Sequence, residues 1–259
     1  MGDYKRIVVK IGSSSLTYEN GRLNLGFMDK FVRTLSDIRS SGIELILVSS
    51  GAISVGTARL LLPKRPKDMP TKQAAAAVGQ CELMYIYDKL FSEYGHKVAQ
   101  VLLTRDVIDE NHRMNNVINT LNRLIELGTI PIINENDTVS VEEIEFGDND
   151  TLSAVVAKLV NADLLILMSD IDGLYDKDPC KNPDAKRIDL VTEITDEIRS
   201  LAGGVSSNHG TGGMITKISA AEIAFENKFD MFITSSKNPQ VLYDIINEKK
   251  GGTYFKVRD

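Results

Sequence analysis

The sequence predicts an α/β fold, a three-layer α/β/α sandwich whose central sheet is mostly parallel. Two observations carry this. Short runs rich in Val, Ile and Leu recur along the 259 residues, the mark of strands buried on both faces. Between them lie segments with apolar residues at helical spacing, several closing on a glycine. Strand–helix alternation of this kind builds a sheet whose crossover helices cover both faces.

The elements follow in chain order. RIVVKI (6–11) is the first strand, and LGFMDKFVRTLSDIRSSG (25–42) the helix after it. ELILVS (44–49) is the second strand, with SSGA (49–52) opening the next helix. PKRPKDMP (63–70) reads as a surface loop, and TKQAAAAVGQCELMYIYDKLFSEYG (71–95) as the longest helix. KVAQVLL (97–103), TIPIIN (129–134), DLLILMS (163–169) and DMFIT (230–234) are further strands, and NNVINTLNRLIELG (115–128) and DTLSAVVAKLVNA (150–162) further helices. TVSVEEIEFGD (138–148) alternates like a short hairpin at the rim of the sheet. There is no internal repeat or linker, so a single domain over 1–259 is expected.

Composition narrows the function. The formal charge of −6 argues against a binder that works by neutralising nucleic-acid phosphates. No apolar run approaches the roughly 18–20 residues that span a bilayer. MGDYKRIVVKIG enters a strand directly with no secretory signal, so a cytoplasmic protein is expected. Cys81 and Cys180 are unpatterned and read as free thiols, and the three histidines show neither zinc spacing nor a nucleophile triad.

Ligands of open α/β sheets collect beyond the carboxyl ends of the strands. Those ends here are KIGSSS, SSGA, NEND and SDIDGLY, and HGTGGMITK precedes the last helix–strand pair. GTGGMITK (210–217) lets backbone N–H groups approach an anion, with Lys217 one turn into the following helix; it reads equally as a Gly-rich surface loop. Neither a Walker A motif nor a G-x-G-x-x-G after the first strand is present. Lys10 emerges from the first strand just before Gly12 and can meet a phosphoryl group as a point charge, or simply reach solvent. Ser50 and Gly51 suit a carboxylate, or an ordinary helix cap. Ser169 and Asp170 suit a base or ribose, or a plain Asx turn. NENDTV (134–139) and GDND (147–150) set amides and carboxylates at strand and helix ends.

Taken together, VVKIGSSSL, LVSSGAI, KQAAAAVGQ, LLTRDV, PIINENDTV, FGDNDTLSA, SDIDGLYDKDP and GTGGMITK, in this order over essentially the whole chain, resemble the amino-acid kinase family and, within it, the glutamate 5-kinase group. The Ile171-Asp172 pair stands where many relatives carry a glutamine. The resemblance implies the amino-acid kinase fold, with a substrate-binding part at about 1–160 and an ATP-binding part at about 161–259. It implies transfer of the γ-phosphoryl group of ATP to the side-chain carboxylate of L-glutamate, giving L-glutamate 5-phosphate on the way to proline. Mg2+ would bridge the phosphates, held mainly by them and by water. Lys10 and Lys217 would be the catalytic cations, with Asp150 orienting them. The ATP site would comprise Lys10, Gly12, Ser13, Ser169, Asp170, Thr211, Gly212, Gly213, Met214, Ile215, Thr216 and Lys217. Asp137, Asp148 and Asn149 would take the substrate ammonium, and Ser50 with the backbone at Gly51 its α-carboxylate. Proline as feedback inhibitor, a homo-oligomer (dimer or tetramer) and a glutamate-5-phosphate reductase as partner are further implications. Many members carry a C-terminal PUA domain; the chain ends at GGTYFKVRD, so RNA binding through that module is not expected. The competing readings are a kinase of the same fold acting on aspartate or N-acetylglutamate, and a non-catalytic sensor of glutamate or proline.

Overall fold

The computed structural model describes residues 4–104, 110–139, 149–203 and 213–257. Its strands are β1 (Arg6–Ile11), β2 (Glu44–Val48), β3 (Val98–Leu103), β4 (Ile130–Glu135), β5 (Leu164–Ser169), β6 (Leu174–Tyr175), β7 (Arg187–Ile188), β8 (Leu190–Val191), β9 (Asp230–Ser235) and β10 (Gly252–Phe255). Its helices are α1 (Ser13–Leu16), α2 (Leu25–Ser40), α3 (Ala52–Arg59), α4 (Met69–Ser92), α5 (Asn111–Glu126), α6 (Asn149–Leu159), α7 (Asp196–Gly203), α8 (Met214–Asn227) and α9 (Val241–Glu248). Among the described residues eight strands form one sheet in the order β3-β4-β2-β1-β5-β9-β10-β8, parallel except between β9 and β10, while β6 and β7 make a separate antiparallel pair.

The alternation of side chains along a strand divides the core into two layers. On β1, Ile7, Val9 and Ile11 face a layer built with α2, α3, α4 and α9, and Val8 faces the opposite layer, built with α5, α6, α7 and α8. The result is the expected α/β/α sandwich. β1 lies at the centre, pairing with β2 on one side and β5 on the other. The chain therefore leaves β1 in one direction along the sheet and later returns to its other side, which opens a crevice beyond the carboxyl end of β1.

Two differences from the sequence reading have clear causes. The loop expected over 63–70 gives its last two residues to α4, because the Asp68 side chain caps that helix by accepting from Thr71 N at 3.0 Å and Pro70 sits in the first turn, where a missing N–H costs nothing. The antiparallel β10 was not expected. It is only four residues long and opens on Gly252, where a Cβ would lie 2.1 Å from Ile233 O, so the close approach to β9 requires glycine and interrupts the apolar run. The hairpin expected over 138–148 lies, apart from Thr138 and Val139, outside the described residues.

α3 and α4 cross with their backbones in contact. A Cβ on Gly56 would lie 1.7 Å from Ala75 O, and one on Gly79 1.8 Å from Ala52 O. This crossing joins the start of α3, next to Ser50, to the middle of α4. Gly79→Ala is accordingly expected to lower unfolding stability by about 3 kcal/mol, since the clash is with backbone that cannot step aside. A urea midpoint equal to that of the parent would show that the crossing tolerates a methyl group.

Candidate active site

The site is assembled by strand period and helix phase. Lys10 follows Val8 by two residues on β1, so its side chain leaves the sheet on the face covered by α6 and α8. Asp150 is the second residue of α6, and Lys217 the fourth of α8. Lys10 Nζ lies 2.6 Å from Asp150 Oδ1 and Lys217 Nζ 2.9 Å from Asp150 Oδ2. One carboxylate thus bridges two ammonium groups. All three side chains are buried, with relative exposures of 4% for Lys10, 0% for Asp150 and 4% for Lys217. Thr216 Oγ1 donates to Gly213 O at 2.9 Å and also reaches Asp150 Oδ2 at 3.2 Å.

Around this centre the expected nucleotide residues fall as follows. Gly12 is the N-cap of α1, and a Cβ there would sit 3.9 Å from Lys10 Nζ, so its backbone runs past the lysine head group. Ser13 begins α1 and packs against Gly51, whose φ of 96° places it in the left-handed region and turns the chain into α3. Ser169, at the end of β5, donates to Asp170 Oδ1 at 2.9 Å, and its carbonyl accepts from Ser236 N at 2.7 Å. Ser236 in turn meets Ser15 Oγ at 2.5 Å, which ties the ends of β5 and β9 to α1. Gly213 is the N-cap of α8 with open space where a side chain would be, followed by buried Met214, exposed Ile215 and half-buried Thr216. Thr211 and Gly212 lie outside the described residues.

The other end of the site is a relay of amides. Asn149 precedes Asp150 on α6, and consecutive helical residues point about 100° apart, so one faces the lysines and the other faces β2 and β4. Asn149 Nδ2 lies 2.6 Å from Ser49 O, 2.8 Å from Asn134 Oδ1 and 2.9 Å from Ser50 Oγ. Ser49 O can only accept, which fixes the Asn149 amide with nitrogen toward the protein and oxygen away from those partners. Ser50 is not the cap of α3; that position belongs to Gly51, and the Ser50 hydroxyl lies 2.9 Å from Asn149 Nδ2 instead. Asp137 is half-buried in the turn after β4, beside Thr138, whose hydroxyl donates to Asn136 Oδ1 at 2.5 Å. Asp148 lies outside the described residues.

Asn134 and Gln80 join this constellation, although the sequence reading assigned neither a role. Asn134 Nδ2 donates to Gln80 Oε1 at 2.9 Å across 54 positions of sequence. The available signal was a polar residue ending the buried run IPIIN, a place where an unpaired amide would be costly. Among the described residues no group of three or more His, Cys, Asp or Glu side chains could hold a metal ion, and no helix is long and apolar enough to cross a membrane.

Comparison with known proteins gives the chain a family. A model of the amino acid kinase family matches residues 5–235. A glutamate 5-kinase from Clostridium perfringens is 56% identical over 257 residues, covering 98% of this chain and 96% of that protein. One from Listeria innocua is 54% identical over 255 residues, covering 97% and 92%. Among solved structures, carbamate kinase from Giardia lamblia bound to AMP-PNP superposes with a TM-score of 0.69 at 14% identity over 100% of both chains. UMP kinase from Ureaplasma parvum does so at 0.67 and 16% identity, over 98% of this chain and 99% of that one; at such identities these two speak for the fold alone. By family model and relatives, the chain belongs to the amino acid kinase family and, within it, groups with the glutamate 5-kinases.

Proposed function

We propose that this chain transfers the γ-phosphoryl group of ATP to the side-chain carboxylate of L-glutamate, yielding L-glutamate 5-phosphate, the first step from glutamate to proline. The observation that carries the chemistry is the Lys10–Asp150–Lys217 bridge, two ammonium groups on one buried carboxylate. Two buried ammonium groups gathered on one carboxylate suit an incoming anion. A carboxylate nucleophile is already ionised at neutral pH and needs no general base. The obstacle is bringing an anion up to a polyanion, and positioned cations remove it. Lys10 and Lys217 meet the transferred group, Asp150 holds them in register, and the backbone at Gly12 and Ser13 donates to phosphate oxygens. The C-terminal part from about residue 161 supplies the nucleotide residues Ser169, Asp170 and 211–217. Mg2+, a hard cation that prefers oxygen ligands and water, would supply neutralisation of phosphate charge when bound with ATP.

At the far end, the Asn149 oxygen and the Asp137 carboxylate take the ammonium of glutamate, joined by Asp148, and Ser50 with the backbone at Gly51 takes the α-carboxylate. The test is ADP release over glutamate, aspartate, N-acetylglutamate, carbamate and UMP, with hydroxylamine trapping of the acyl phosphate. Turnover with glutamate and a hydroxamate product are expected; turnover with another acceptor alone overturns the reading.

Proline shares the α-carboxylate and protonated nitrogen of glutamate but offers nothing to phosphorylate, so the same residues accept it as a competitor. Asp137→Ala is expected to raise the KM for glutamate about tenfold or more with kcat little changed, because the ammonium is remote from the reacting carboxylate. The same variant should lose sensitivity to proline. Steady-state kinetics at several proline concentrations check both. Inhibition independent of glutamate concentration would move the inhibitor to another site.

A further inference from the structure

We infer that Gln80 is a positioning residue for the amino-acid end of the site, acting through Asn134 on Asn149; the inference rests on the glutamate kinase reading above. The relay has a fixed polarity. At one end Ser49 O accepts from Asn149 Nδ2 at 2.6 Å. Asn149 Nδ2 also donates to Asn134 Oδ1 at 2.8 Å, and that oxygen accepts Glu135 N at 2.9 Å as well. Asn134 Nδ2 then donates to Gln80 Oε1 at 2.9 Å, so Gln80 closes the chain as an acceptor.

Asn149 has two amide hydrogens but three oxygens within reach. With Ser49 and a firmly held Asn134 taking both, the Ser50 hydroxyl is left to turn toward substrate. An Asn134 amide that swings on its side-chain torsion releases one hydrogen of Asn149 to Ser50 and shifts the Asn149 oxygen that receives the ammonium. Gln80 restrains that swing. It is well placed to do so, because Gly79 beside it fixes α4 against the backbone of α3, and Tyr87, seven residues on along the same face of α4, meets Ser49 Oγ at 3.0 Å. One helix face therefore holds both ends of the relay.

The test compares Gln80→Leu, which has no acceptor, with Gln80→Glu, which keeps one. Gln80→Leu is expected to raise the KM for glutamate about tenfold, the effect of leaving a buried donor unpaired, with kcat and the KM for ATP within about twofold of the parent. Gln80→Glu should stay within about threefold of the parent KM, since a carboxylate accepts from Asn134 at least as well as an amide. Melting temperatures of both variants near the parent's would confirm that the fold is intact. An unshifted KM in Gln80→Leu overturns the inference, and so does equal impairment in Gln80→Glu, which would make packing rather than hydrogen bonding the cause. A parent chain inert toward glutamate would overturn the functional reading, and this inference with it, whereas failure of the variant pattern in an active enzyme overturns this inference alone.

Discussion

Asp150→Asn is expected to lower kcat by about 100-fold or more while leaving nucleotide binding intact or tighter. The substitution is nearly isosteric, so the loss is one of charge. Asp150 holds Lys10 at 2.6 Å and Lys217 at 2.9 Å, and all three side chains are buried. With an amide between them, two buried ammonium groups face each other, and their repulsion pushes at least one out of place. Removing one partner of a buried charge group typically costs about 3–5 kcal/mol, so the variant should also unfold at lower urea. Nucleotide supplies the anion that the variant lacks, so ATP should raise its melting temperature by more than it raises the parent's. That pairing of lost turnover with a larger ligand-induced stabilisation separates a charge effect from general damage. Parental kcat in a folded variant would mean that the bridge does not organise the lysines for reaction.

Much of the architecture was legible because it depends on local pattern. The runs at 6–11, 44–49, 97–103, 129–134, 163–169 and 230–234 all became strands with ends within one residue, since a strand buried on both faces has few ways to hide its apolar character. Lys10 stood out because a lysine breaks such a run. The convergence of Lys10, Asp150 and Lys217 follows from topology: one strand ends and two helices begin, far apart in sequence, beyond the carboxyl end of β1. What escaped was information that exists only between elements. Gln80 looks like any polar residue of a long helix until the Gly56–Gly79 crossing brings it against Asn134. Gly51 rather than Ser50 caps α3 because the turn there requires a positive φ, which the residue string SSGA does not reveal by itself. The small strands β6, β7, β8 and β10 have two to four residues each, too few for alternation to register. A similar logic ties Tyr4 and Tyr254, from opposite ends of the chain, to one oxygen of buried Asp230, each at 2.8 Å, and burial followed by hydrogen bonding with Tyr254 and Asp230 holds the Tyr4 phenol well above its ordinary value.

Lys217→Ala should lower kcat by roughly 10²–10³-fold with the KM for glutamate little changed. The argument turns on when the charge is needed. Lys217 rises from the first turn of α8 behind the glycine-capped N-terminus, where the helix end already favours an anion, so ground-state binding of the polyphosphate has other support. As the phosphoryl group leaves ADP and meets the carboxylate, charge gathers on its oxygens midway between donor and acceptor. In the proposed site the Lys217 ammonium, paired with Asp150, would interact more strongly with that state than with either end, and a loss of that kind appears in kcat. Lys217→Arg is a weaker substitute than its charge suggests, because the planar guanidinium needs more room than a buried ammonium 2.9 Å from a carboxylate and cannot act as a point donor. Single-turnover measurements at saturating ATP and glutamate would isolate the chemical step. Turnover at the parental rate in folded Lys217→Ala would remove this residue from the mechanism and leave Lys10 as the cation of transfer. A raised KM for glutamate with intact kcat would instead assign Lys217 to substrate binding.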